Sequence, residues 1–261
     1  MTFVPELTSR KGDPWAARKG EPRGMALGWC MYMMACAAGT VLQTRSVGMT
    51  LLAPFQRAAT HFCLLILIGA CILWPMARLS QASGKGGPLR ATLVDVMAVL
   101  LPLQVVLWPL PLATGWGWGF VLGIITLIAA WSFGCIAFTH ACITPQEHPR
   151  GRAVEATPGS RLAVMLALVL VIGLPPAVIG LASRVNPGLL EHAGWLGTLS
   201  PLSELWILTH PPSGLVPRMT SLGWTSAAGA LMLGLAALAV RGLWGKPRPL
   251  ADQSPGGVHS G

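Results

Sequence analysis

The 261-residue chain is 53% hydrophobic and only 10% charged, far below the roughly one quarter of charged residues found in a soluble domain. Its formal charge of +9 would suit a nucleic-acid partner, but the Lys and Arg residues lie between apolar runs and at their ends, not on a surface of their own. That placement argues against nucleic acid, and the short polar stretches leave no soluble module large enough to fold alone.

In chain order, residues 1–23 form a polar tail with Pro5, Pro14 and Pro22. The apolar run that follows lacks the early position and small-residue cleavage site of a secretory signal, so the first span is expected to be a retained anchor. Apolar runs then recur at 24–42, 58–77, 91–113, 120–139, 162–183 and 223–240. Each is close to the length that crosses a hydrocarbon core of about 30 Å at 1.5 Å per helical residue, and a backbone in lipid must satisfy its own hydrogen bonds. The pattern predicts an all-α, polytopic transmembrane helical bundle of six spans over 24–244, with an outer loop at 184–222 and a C-terminal tail at 245–261.

Charge bias orients the spans. With the N-terminus inside, fourteen basic residues fall on the cytoplasmic side and only Arg45, Arg57, Arg184 and Arg218 on the other, which places both termini inside, in an inner (cytoplasmic) membrane. A seventh span at 188–209 would weaken that bias and put Glu191, His192 and Glu204 in lipid at a cost of about 2.5–3.5 kcal/mol for a mid-span carboxylate. Tryptophans Trp29, Trp74, Trp116, Trp118, Trp224 and Trp244 fall near span ends, where interfacial rings are expected. Within the outer loop, Ser200-Pro201 has the N-cap and first-turn pattern of a helix running to Thr209, before Pro211-Pro212. Leu202, Leu205 and Trp206 would share a face, with Ser203 and Glu204 pointing elsewhere.

Ionisable and polar groups inside spans are the first places to look for function. Asp95 lies about one turn into the third span; Thr92-x-x-Asp95 fits a capping box, and Arg90 is near enough to pair with it. Gln104 sits at mid-depth, where its amide requires an interhelical partner or lines a pathway. Pro175 and Pro176 remove adjacent donors and predict a kink or break in the fifth span, which serves either packing or a pathway. The small-residue stripe Ser226, Ala230, Gly234, with the pairs Gly24/Gly28 and Gly119/Gly123, favours close helix contacts within the chain or across a homodimer. His61-x-Cys63 and His140-x-Cys142 fall at opposite membrane faces and so make no shared metal site; the six cysteines read as reduced and structural. No catalytic constellation or cofactor motif is visible.

The segment Leu199-Ser200-Pro201-Leu202-Ser203-Glu204-Leu205-Trp206, followed by Pro211-Pro212 and by Trp224 opening the last span, resembles the outer segment of the membrane subunits of six-span ATP-binding-cassette exporters. The resemblance implies short outer helices before the last span, a partner ATPase subunit, and a homodimer or second membrane subunit in the lipid membrane. It implies a permease-type subunit, and in that reading the polar and proline positions above predict a pathway that borders spans three and five, with Gln104, Asp95, Pro175 and Pro176 beside it. The scarcity of polar residues in the spans leaves open a second reading, a non-catalytic membrane scaffold or assembly factor.

Overall fold

The computed structural model describes residues 22–44, 52–80, 88–143, 146–147, 153–154, 158–185, 199–210 and 217–244. The terminal tails at 1–21 and 245–261, together with Glu191 and His192 of the outer loop, lie outside them. In chain order the elements are α1 (Pro22–Thr44), α2 (Leu52–Leu79), α3 (Pro88–Leu107), the short α4 (Leu110–Thr114) and α5 (Trp118–Ile143). Then come a two-residue antiparallel pairing of β1 (Gln146–Glu147) with β2 (Ala153–Val154), α6 (Pro158–Val185), α7 (Pro201–Thr209) and α8 (Ser221–Trp244).

Among the described residues, five helical segments are long and apolar enough to cross a membrane: Leu52–Leu79, Leu89–Thr114, Trp118–Cys142, Gly159–Leu181 and Ser221–Gly242. The described architecture is helical throughout, apart from the one short pairing, and has the make-up of a multi-pass membrane protein. Its outer faces agree: Met34, Val105 and Leu112 are 73%, 77% and 82% exposed. In water such apolar surface costs about 25 cal/mol per Å², whereas lipid tails solvate it as well as a protein interior does.

The central helix is α5. Seventy-two per cent of its most apolar window is buried, against 17% for α6 and 28% for α8. Ile124, Leu127, Ile128 and Ile136 on α5 form the middle of the core. Helix α8 packs most extensively against α5, and glycines explain how. A Cβ on Gly134 would stand 2.7 Å from the Ala230 carbonyl, and one on Gly234 would stand 2.8 Å from the Phe133 ring. The Ser226, Ala230, Gly234 stripe therefore works within the chain, and Trp131 donates its indole N–H to the Ser226 hydroxyl at 3.2 Å.

Helix α1 docks by a different device. Midway along α2 the helix widens to a π turn at Gly69–Leu73, just before Pro75. A Cβ on Gly69 would lie 2.5 Å from the Tyr32 ring and 2.7 Å from that of Trp29, so only glycine admits the two aromatics. Trp29 donates to the Val99 carbonyl at 3.0 Å, and the Tyr32 hydroxyl to the Leu65 carbonyl at 2.7 Å. Trp74 meets Trp29 edge-on at 6.1 Å between ring centres. Trp29 and Trp74, expected near span ends, are 5% and 3% exposed and pack into the core; Trp116, packed edge-on against Phe120, does too.

The apolar segment Leu89–Thr114 is two helices. Pro109 and Pro111 cannot donate to the turns before them, so the chain breaks at Trp108–Pro109 and resumes as α4. Gly115, at a φ of 69°, ends α4 in the left-handed conformation that suits glycine. Gln56 of α2 donates to the Thr114 carbonyl at 3.0 Å, fastening this end.

Candidate functional site

Among the described residues, polar side chains gather at two places on opposite ends of the helix bundle. The first surrounds Asp95, in the second turn of α3. Its carboxylate is fully buried and is gripped by both arms of Arg78, with Nε to Oδ2 at 2.5 Å and Nη2 to Oδ1 at 2.6 Å. His140 Nε2 lies 2.8 Å from the same Oδ2. Arg78 belongs to the last turn of α2 and His140 to the last turn of α5, so one carboxylate ties three helices together. The planar guanidinium matches a carboxylate in two parallel bonds, which makes this burial of charge tolerable. Next to it, Arg161 in the first turns of α6 donates Nη1 to the Leu79 carbonyl at 3.0 Å.

This arrangement corrects two expectations. Arg90 is exposed and Arg78 takes the acid instead. Nor is Thr92 a helix cap, because α3 already begins at Pro88 and Thr92 is wholly buried within it. His140 also has a role the His-x-Cys spacing did not suggest. The signal available in the sequence was position: Arg78, Asp95 and His140 all lie at span ends on one side.

The second place is α7. Ser200 caps it, accepting from the Leu202 N–H at 3.3 Å, with Pro201 in the first turn as expected. The same hydroxyl donates to the Ile172 carbonyl at 2.5 Å. Ile172 is the residue four before Pro176, so its carbonyl is the one Pro176 cannot pair. With that carbonyl satisfied from outside, α6 runs unbroken through Pro175 and Pro176. Of the expected kink or break, the break is absent, and α7 supplies a donor to the carbonyl that Pro176 leaves open. Since Ile172 stands midway along α6, α7 begins deep in the bundle; it packs on α2, α5, α6 and α8.

The faces of α7 also differ from expectation. Ser203 and Glu204 are 4% and 2% exposed, beside buried Leu205 and Leu208, while Trp206 and Ile207 face outward at 47% and 43%. Glu204 Oε1 lies 3.5 Å from the Thr220 hydroxyl and against Gly223, where a Cβ would come within 3.1 Å of it. Thr220 caps α8, accepting from the Gly223 N–H at 3.1 Å. The acid thus faces the first turn of α8, where the helix dipole favours negative charge. Burial nonetheless pushes the Glu204 carboxyl above the usual glutamate range, with the Thr220 hydroxyl acting in the opposite direction.

Gln104 joins neither group. It is half-buried on α3 between the exposed Leu101 and Val105, and its amide makes no hydrogen bond among the described residues. Asp95, Gln104 and the pair Pro175 and Pro176 are therefore not assembled into one site. Protein-family models, characterised proteins and solved structures offer no match to this chain. Among the described residues no cluster of His, Cys, Asp and Glu could hold a metal, and the six cysteines are free. What the two polar groups do chemically is join helices: one clamps the ends of α2, α3 and α5, and the other seats α7.

Proposed function

We propose that the chain is the permease-type membrane subunit of a multi-component exporter, driven by a partner ATPase and working beside a second membrane subunit or a second copy of itself. The observation that carries the reading is α7, a short helix placed immediately before the last span and buried among α2, α5, α6 and α8. A helix seated this way can transmit motion between the bundle and a cargo at the outer face. In this reading α1 is the sixth span, both termini face the cytoplasm, and the Arg78, Asp95, His140 clamp lies at the inner end, in the inner membrane. The interior is apolar, which suits a lipid-like cargo better than a hydrophilic solute.

The exposed apolar faces of α3 and α6 would meet the second membrane subunit. Purification of the tagged chain in mild detergent, with mass spectrometry of stoichiometric companions, tests the proposal. A soluble ATPase among them supports it. Other membrane proteins without an ATPase, after crosslinking, would sink it.

The scaffold or assembly-factor reading is favoured by a different observation. Asp95 is fully engaged by Arg78 and His140, as in a fixed structural joint rather than a pathway residue. Under that reading the companions are membrane proteins alone, held by the same exposed helix faces.

A further inference from the structure

Between α6 and α8, where both lean on α5, lies a crevice of about 140 Å³. Trp131, Cys135 and Phe138 form its floor, and Leu168, Val171 and Leu233 are among its sides. Its wall is almost wholly apolar, and its rim residues Val171 and Leu233 are 48% and 56% exposed, so it opens sideways out of the bundle. An apolar void of about 150 Å³ stays dry and accepts an apolar guest. In a chain built for a bilayer, the apolar molecule present at such a side opening is a lipid acyl chain.

Charge distinguishes which lipid. Arg161 lies seven residues before Leu168 on α6, two helical turns along the same stripe. Arg241 lies eleven residues after Ala230 on α8, three turns along its stripe, and Ala230 also lines the crevice. Both run toward the same end of the bundle, the end that holds His140 and Arg78. At 1.5 Å per residue, Arg161 stands roughly 10 Å from Leu168 along the helix axis. A bilayer's headgroup layer is about 5–7 Å thick on each side, so the two cations stand at headgroup level for a chain lying in the crevice. The nearby acid, Asp95, is already held by Arg78 and His140. Arg161 donates Nη1 to the Leu79 carbonyl at 3.0 Å, while its buried Nε has no hydrogen-bond partner among the described residues.

We propose that this crevice binds one acyl chain of an anionic glycerophospholipid whose phosphate is met by Arg161 and Arg241. The proposal goes beyond the exporter reading and stands whether or not an ATPase partner exists. The lipid closes a seam that the protein leaves open between two helices, and fixes the spacing of α6 from α8.

The test is native mass spectrometry of the purified full chain, titrated with phosphatidylglycerol or with phosphatidylcholine of the same acyl chains. The expected result is one retained phosphatidylglycerol and at least about tenfold weaker retention of phosphatidylcholine, a gap of about 1.4 kcal/mol. Arg241→Gln, and the double variant with Arg161→Gln, should reduce that preference stepwise. Ala167→Trp should block retention by filling the crevice, with thermal unfolding checked for each variant. If Ala167→Trp fails to fold, Leu233→Trp at the exposed rim serves the same purpose. Equal retention of the two lipids would overturn the proposal, as would unchanged phosphatidylglycerol retention in a folded crevice-filling variant. A dimer that lipid does not displace would overturn it too, by placing a second copy in the crevice.

Discussion

The Ser200 hydroxyl donates to the Ile172 carbonyl at 2.5 Å, and that carbonyl is the one left without a helical partner by Pro176. A cap of one helix thereby repairs a defect in another. Replacing Ser200 with Ala removes the cap and strands a buried carbonyl, with an expected cost of about 1–3 kcal/mol. Thermal unfolding in mild detergent, followed by tryptophan fluorescence, reads the loss. Pro176→Ala restores the N–H that α6 lacks, so the loss from Ser200→Ala should be smaller in that background. Equal losses in both backgrounds would show that the two residues are not linked.

Removing the carboxylate at Asp95 has a different consequence. Asp95→Ala leaves the Arg78 guanidinium, only 13% exposed, without its anion, and breaking a buried pair from one side costs about 3–5 kcal/mol. His140→Gln keeps the Arg78 bonds and should cost much less. Replacing Asp95 and Arg78 together by Leu and Met should restore part of the stability lost in Asp95→Ala. A chain that unfolds at the same temperature after Asp95→Ala would show that the clamp is not holding these helix ends.

The extent of the helices was legible in the sequence because hydrophobicity reports it directly. Each described helix begins and ends within about six residues of its apolar run, and α7 began where Ser200-Pro201 placed it. Side-chain partners were not legible. Arg78 and Asp95 are joined across a connection, so no local spacing suggests the pair, whereas Arg90 and Thr92, the partners that local spacing does suggest, are near Asp95 only in sequence. The burial of Trp29 is not legible because the feature that buries it, the flat surface at Gly69 in a π turn, lies on another helix. The two faces of α7 are not legible for a similar reason. Its surroundings are protein on most sides, so helix periodicity alone could not say which face points inward.

Glu204 gives the chain a pH dependence with a definite sign. Burial raises its pKa in the folded state above the unfolded value, so folding disfavours the charged form. The penalty is absent below the ordinary glutamate range and grows as pH rises through the raised folded value. Thermal stability should therefore fall across that interval. Glu204→Gln should raise the unfolding temperature near neutral pH and leave it unchanged in acid. A variant that is destabilised near neutral pH but not in acid would show that the carboxylate makes a favourable contact with the first turn of α8 that outweighs its burial.

Close approach of α5 and α8 sets a steric prediction. A Cβ on Gly134 would stand 2.7 Å from backbone, the Ala230 carbonyl, which cannot rotate away as a side chain would. Gly134→Ala should force the helices apart and cost about 1–3 kcal/mol, in the range of overpacked cores. Gly28→Ala on α1, where nothing lies within 4 Å of the new Cβ, is the control and should leave stability unchanged or slightly raised. Similar losses at both positions would mean that glycine is needed for some reason other than helix contact.

Gln104 separates the two functional readings. Its amide is half-buried on the outward side of α3 with no hydrogen-bond partner among the described residues, so the isolated chain gains nothing from it. Gln104→Leu should shift stability by no more than about 0.5 kcal/mol. In the exporter reading, the amide faces the second membrane subunit or the cargo, and the substitution should lower transport, or ATP turnover of the co-purified ATPase, with insertion unchanged. An interhelical amide bond in a membrane is worth about 0.6–2 kcal/mol, so binding of the second subunit should weaken by about three- to thirtyfold. If turnover and subunit binding both stay at the wild-type level, Gln104 lies on no interface or pathway, and the exporter reading loses the residue on which its third-span pathway depends.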